Sequence, residues 1–224
     1  MDQLITSSTV WRAVDQIAAE ARARTLSDDP SNYLNRREYG FVLDSKSGAI
    51  LSRVQGDTKT VNFECAAHLI PGNVVVHSHP NATPLSPEDI TIATGNGDNI
   101  GESIVFAVSI DGSLFWSGGW NKKKLRGPSD VASLWENIVA KWGKALADRL
   151  YSPSDIRMAR IDPSFQPLSP EGITLDDILA FSLHHFWKDF AKRDLLTYGY
   201  RLTPEFEERY ELVRNAAFRV GAPL

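Results

Sequence analysis

The alternation of apolar and polar residues divides the chain into a mixed first part and a helical remainder. In residues 8–24, STVWRAVDQIAAEARAR, Val10, Val14, Ile17 and Ala21 recur at helical spacing with charged residues between them, which predicts one amphipathic helix. Shorter runs follow. YGFVLDS and AILSRV flank the glycine turn KSG, and KTVNFEC sets Val61, Phe63 and Cys65 against polar neighbours, so a meander of short strands is expected. Val74-Val75-Val76 is apolar on both faces, as a central strand covered from both sides requires. SPEDITIATGNG reads as a short helix closed by glycine. SIVFAVSIDGSLFWSGG reads as two strands joined at Asp111-Gly112, a strong hairpin signal.

Beyond about residue 126 the period lengthens. Residues 128–150 place Leu134, Ile138, Trp142 and Leu146 on one helical face. Pro153, Pro163, Pro167 and Pro170 predict an irregular linker over 152–171. Two further helices are expected, one from Thr174 and one from Thr203-Pro204, the latter with Phe206, Tyr210, Val213 and Ala217 as its stripe. The expected organisation is an α/β unit over residues 1–126 and a helical extension over 127–224. Phe186, Trp187 and Phe190 of the extension are expected to pack onto the first unit, with a surface for a partner or for self-association as the alternative.

Composition narrows the class. With 224 residues, 42% hydrophobic and 23% charged, the chain has ample material for a core, and no apolar run approaches the roughly 18 residues of a membrane span. The net charge of −4 argues against bulk nucleic-acid binding, and WNKKKLRG reads as a solvated basic loop. An acidic second residue and no apolar block near the N-terminus argue against a secretory signal, so a cytoplasmic protein is expected. The single cysteine, Cys65, excludes an internal disulfide, a CxxC pair and any multi-cysteine zinc site, and reads as a small buried strand residue.

The candidate chemistry lies in VVVHSHPNATPLSPED, residues 74–89. Side chains at i and i+2 of a strand share a face, so His77 and His79 turn both imidazoles toward one point while Ser78 faces away. Pro80 ends the pairing. In SPED, Ser86 stands at the N-cap, Pro87 at the first helical position and Asp89 at the third. A helix start accounts for Ser86 and Asp89 but leaves two imidazoles at the end of a buried strand to be satisfied. A divalent ion accounts for both, with Asp89 as an oxygen ligand and one position open. There is no HExxH, and one cysteine cannot supply the PCxxC of the nucleobase deaminases. His184 and His185, adjacent in FSLHHFWKDF, point in different directions and read as packing or surface residues; His68 reads as structural.

HSHPNATPLSPED resembles the signature of the JAMM, or MPN-plus, zinc metalloproteases: an upstream glutamate, His-x-His-Pro, then Ser-x-x-Asp. The resemblance extends over roughly residues 1–126, and the interval from His79 to Ser86 is one residue shorter than the family's commonest. It implies a JAMM/MPN-like, cytidine-deaminase-like fold, a mixed β-sheet flanked by helices, here with a C-terminal helical extension. It implies Zn2+ held by His77, His79 and Asp89, and Ser86 helping to hold the tetrahedral intermediate. The implied glutamate is Glu38 in REYGFVLDS, with Glu64 in NFECAAHL as the second candidate. The implied activity is hydrolysis of a peptide or isopeptide bond by zinc-activated water with that glutamate as general base. The implied substrate is a protein, such as one carrying the C-terminal tail of a ubiquitin-like protein. A non-catalytic MPN-like scaffold and a cell-wall or phage-tail-associated peptidase remain as alternatives.

Overall fold

The computed structural model describes residues 7–28, 35–58, 60–94, 103–162 and 165–222. Gly95 and Gly97 after the short helix, Lys59 of the expected third strand, Pro163 and the first six residues lie outside them. The chain is α/β, with a mixed six-stranded sheet of order β2-β1-β3-β4-β5-β6 flanked by helices. The strands are β1 (Tyr39–Leu43), β2 (Ile50–Gln55), β3 (Val74–Ser78), β4 (Ile104–Val108), β5 (Leu114–Ser117) and β6 (Gly199–Arg201). Helix α1 (Ser8–Asp28) precedes the sheet, and α2 (Pro87–Thr94) connects β3 to β4, the one parallel pair. All other neighbours are antiparallel.

Each face of the sheet carries its own core. On one, Val10, Val14, Ile17 and Ala21 of α1 meet Phe41, Val76 and Phe106, as the helical spacing predicts. The opposite face carries Val42, Val75, Val105 and Phe115, covered by α2 and by helices from beyond residue 126. Val74, Val75 and Val76 are all buried, and Asp111-Gly112 turns β4 into β5 with Gly112 at φ +98°, the conformation that selects glycine there.

Several expectations are corrected. KTVNFEC forms no strand among its described residues. Val61 and Phe63 lie across β1 at Gly40, where an added Cβ would stand 2.4 Å from Phe63 Cζ and 2.7 Å from Val61 Cγ1. Packing against that bare backbone overrides the alternation, and the chain continues as a 3-10 turn over Glu64–Leu69. Cys65 and His68 are therefore exposed on that turn, not a buried strand residue and a structural one.

The stretch read as an irregular linker contains α5 (Pro153–Ile161), because Pro153 occupies the first helical position behind the Ser152 cap, whose side chain accepts from Asp155 N–H. The helix expected over 128–150 is α3 (Pro128–Leu134) and α4 (Lys141–Leu150) joined by a π-helical segment, Trp135–Ala140. That segment shifts the register, so Val131, Val139, Trp142 and Leu146 are buried while Leu134 and Ile138 are only partly so.

The last third is not wholly helical. Between α6 (Leu175–Lys192) and α7 (Pro204–Arg219), both capped by the expected threonines, β6 adds itself to β5. Gly199 permits this, since a Cβ there would meet the Trp116 ring at 2.2 Å. Phe186, Trp187 and Phe190 join the core beneath the sheet, as expected.

Truncation after Arg126 tests this shared core. Losing a buried aromatic from a core costs about 3–5 kcal/mol, against about 5–15 kcal/mol for a whole domain. Removal of Trp187, Phe190 and Phe206 together is expected to abolish the cooperative thermal transition followed by circular dichroism; a truncated chain that melts cooperatively would contradict the shared core.

Candidate metal centre

The centre forms where β3 ends. Continuing the i, i+2 alternation from Val75 puts His77 and His79 on the α2 side of the sheet, at the carboxyl end of a parallel strand where α/β folds place their ligands. Ser86 caps α2, its Oγ accepting from Asp89 N–H at 3.2 Å while Asp89 Oδ2 accepts from Ser86 N–H at 2.7 Å. This capping box turns the Asp89 carboxylate back toward the strand. Oδ1 then lies 3.1 Å from His77 Nε2 and Oδ2 lies 3.3 Å from His79 Nε2, with the two Nε2 atoms 2.9 Å apart. All three side chains are buried.

The donor set fits a divalent cation. Zinc–nitrogen bonds of 2.0–2.1 Å in tetrahedral geometry set neighbouring ligand atoms ~3.3 Å apart; the two Nε2 atoms are 2.9 Å apart, each lies near that distance from a different oxygen of Asp89, and one ligand atom from each residue falls within 4.8 Å of the others. The second ring nitrogen of His79 is anchored: Nδ1 donates to the Thr83 carbonyl at 3.0 Å, with Thr83 Oγ1 at 3.2 Å. Anchoring Nδ1–H leaves the Nε2 lone pair directed at the cluster, the usual outer support of a metal-bound histidine. His77 Nδ1 is buried without a hydrogen-bond partner among the described residues.

Without a cation the cluster holds a proton instead. Burial by itself depresses the basicity of His79, but the hydrogen bond and charge of Asp89, with the charge of Glu38, raise its pKa to about 9. Burial works against ionisation of Asp89 as well, and the charges and hydrogen bonds of His77 and His79 overcome it, holding the carboxyl well below its usual range.

Glu38 and Ser86 line the same cavity of about 510 Å³ as the three ligands, together with Phe63, Trp135 and Leu183. The β1–β3 register pairs Gly40 with His77, and two residues further it sets Glu38 opposite His79. Glu38 stands outside the close ligand set, and burial raises its carboxyl above 4.5 despite the opposing charges of His79 and His77. Glu64 is exposed on the 3-10 turn and outside the cavity lining. The Ser86 hydroxyl oxygen accepts from Asp89, and among the described residues its proton has no acceptor. His184 is buried against Tyr198 and Phe115 and His185 approaches Tyr210, both in packing positions apart from the cavity.

Several residues that hold the centre carry no sequence signal. Behind Glu38, Tyr39 N–H donates to Ser78 Oγ (2.9 Å), Ser78 lies 2.6 Å from Thr25 Oγ1, and Thr25 donates to the Arg37 carbonyl (2.9 Å). The fixed ends of this chain orient both hydroxyls, and it clamps the residues on either side of Glu38 to α1. From the other side, buried Trp187 donates Nε1–H to the Leu85 carbonyl at 2.8 Å, holding the residue that precedes the Ser86 cap. An N-cap pattern marks Ser86 and Asp89 in the chain, but nothing local marks a hydroxyl on α1 or an indole a hundred residues away as their supports.

No family model matches the chain, and no curated protein or solved structure does either. Among the described residues no helix is long and apolar enough to cross a membrane.

Two outcomes follow from this geometry. A metal ligand must be deprotonated, and His79 is protonated below about pH 9 in the metal-free site. Zinc binding at pH 7 is therefore expected to release about one proton, with apparent affinity rising toward pH 9 and levelling above it. Calorimetry in buffers of different ionisation enthalpy reads the proton count, and a count of zero would contradict the site. Ser78→Ala leaves the partly buried Tyr39 amide without its acceptor and is expected to cost about 1 kcal/mol in equilibrium denaturant unfolding.

Proposed function

We propose that the chain is a zinc-dependent hydrolase of peptide or isopeptide bonds with a JAMM/MPN-like core. The observation that carries this is the convergence of His77, His79 and Asp89 on one point of a cavity whose wall also holds Glu38, a carboxylate set apart from them. The similarity of HSHPNATPLSPED to the JAMM signature supports the choice of Zn2+ and of amide substrates. So does the donor set, two imidazoles and one carboxylate, the ligand types of hydrolytic zinc sites that keep a position open.

When bound, a divalent ion supplies a Lewis acid that polarises the carbonyl and acidifies a water. The chain's own groups supply the rest. Glu38 takes the proton of the attacking water and delivers it to the departing amine, acting as base and then as acid. Its raised pKa brings it toward the value that work at neutral pH requires. Ser86 Oγ–H, uncommitted by the capping box, donates to the carbonyl oxygen as that atom gains charge. Asp89 stays ionised, held so by its imidazole neighbours, and Thr83 and the Ser86 amide keep His79 and Asp89 in place. A bound protein segment would exclude water from the half-buried cleft. The substrate proposed is a protein amide, with the tail of a ubiquitin-like protein as the first to be tried.

Metal analysis and turnover of a ubiquitin-like fusion test this together. The purified chain is expected to hold one zinc; Glu38→Gln is expected to keep it and lose on the order of 10²–10⁴ in rate. Ser86→Ala is expected to lose on the order of 10²–10³ in kcat, the effect of one oxyanion donor. Purification without a stoichiometric divalent ion would instead favour a scaffold, and full turnover by Glu38→Gln would remove Glu38 as the base.

A further inference from the structure

The cavity of the metal centre does not end at its own wall. A second cavity of about 390 Å³ lies between the π-helical segment, α4, α5 and α6, and Trp135 and Leu179 line both. Its lining is mostly apolar, including Val139, Ala147, Ile156 and Ile178; of its charged residues Lys144 and Asp148 are paired with each other at 3.0 Å, and Arg160 is the third. It is not a part of the core that the helices failed to fill. Helix α5, which flanks it, buries none of its side chains, and Leu179 at the junction remains 36% exposed. Helix α5 touches the packed cores only through the partly buried Ile156, and the space lies between it, α4 and α6.

The junction is built by an unusual piece of backbone. Trp135 is the first residue of the π-helical segment, and such segments are rare and recur at functional sites because they re-aim side chains that a regular helix would direct elsewhere. Here Val131 and Val139 are buried in the core while Trp135 packs against it only half-buried and lines both cavities.

We infer that this groove is the specificity subsite of the hydrolase: it takes a large apolar side chain, aromatic or branched aliphatic, that flanks the amide cleaved at the metal centre. The inference rests on the function proposed above. Continuity is what selects a substrate side chain over any other occupant. Trp135 and Leu179 line both the cavity of His77, His79 and Asp89 and the groove, so the two adjoin there, and apart from the Lys144–Asp148 pair the groove's charged lining is Arg160, on the outward-facing α5. Its volume accommodates a phenylalanine or leucine side chain with room for adjoining backbone. Selectivity then comes from residues of the extension, which the JAMM-like motif does not include.

The test uses the full chain loaded with zinc and two small probes, acetyl-phenylalanine hydroxamate and acetyl-alanine hydroxamate, with binding read by titration calorimetry. The phenylalanine probe is expected to bind at least about tenfold tighter, the least that extra methylene-sized apolar groups contribute in a fitting pocket. Ala159→Trp fills the groove from α5, a helix that buries no side chain, and lies outside the lining of the metal cavity. This variant is expected to remove the advantage of the phenylalanine probe while leaving alanine-probe affinity unchanged. Leu179→Asn is expected to reduce the same ratio from the α6 side. Equal affinities in the unaltered chain, or an advantage that survives Ala159→Trp, would overturn the subsite and leave the hydrolase standing. Failure of both probes on zinc-loaded protein would overturn the two together.

Discussion

One buried carboxylate ties the end of a strand to the start of a helix, and the rest of the centre is arranged around it. Asp89 accepts the Ser86 amide with Oδ2 and presents Oδ1 and Oδ2 to the two imidazoles. Burying such a charge alone would be prohibitive. Three things offset the cost: the capping hydrogen bond, the favourable field at the N-terminus of α2, and positive charge on the histidine side. The positive charge is either a proton shared with His79 or a divalent ion, so the same contact that closes the helix creates a demand for a cation. Helix capping and metal ligation, which compete as explanations of SPED when the chain is read alone, are two consequences of one geometry.

That geometry is braced from both faces of the sheet. On the α1 side a line of hydroxyls, Ser78 and Thr25, joins the backbone around Glu38 to the helix. On the other side the indole of Trp187 holds the Leu85 carbonyl, one residue before the cap. Between them the β1–β3 register fixes Glu38 relative to His79, and Gly40 lets Phe63 close over that register from above. The helices beyond residue 126 belong to this bracing, since α6 supplies both the indole and the cavity wall at Leu179 and Leu183, and β6 extends the sheet.

Two carboxylates in one cavity are driven in opposite directions. Asp89, against two imidazoles, is held ionised, while burial raises the proton affinity of Glu38, which has no hydrogen-bonded cation among the described residues. Separating two like groups in this way is how proteins assign one carboxylate to hold charge and the other to move protons. Trp135 and Leu179 line both this cavity and the one beside α5, so under the proposed function the chemistry and the selecting surface would come from different parts of the chain.

The sequence by itself determined whatever is decided within a few neighbouring residues. The α1 stripe, the buried run Val74–Val76, the Asp111-Gly112 turn and the caps at Ser86, Thr174 and Thr203 are set by spacing and local hydrogen bonds. The convergence of His77, His79 and Asp89 could be read for the same reason, because strand alternation and a capping box are local. Glu38 was legible only through a likeness of motif, since its place opposite His79 is a matter of strand pairing. Only the tertiary structure decided the rest. Phe63 follows the empty face of Gly40 rather than its own alternation, Pro153 starts a helix because Ser152 caps it, and the π-helical segment shifts a register that periodicity had left continuous. The three-residue β6, the Thr25–Ser78 line and the Trp187–Leu85 bond join residues far apart in the chain, and contacts of that range leave no period behind them: they exist only once the sheet has brought their ends together.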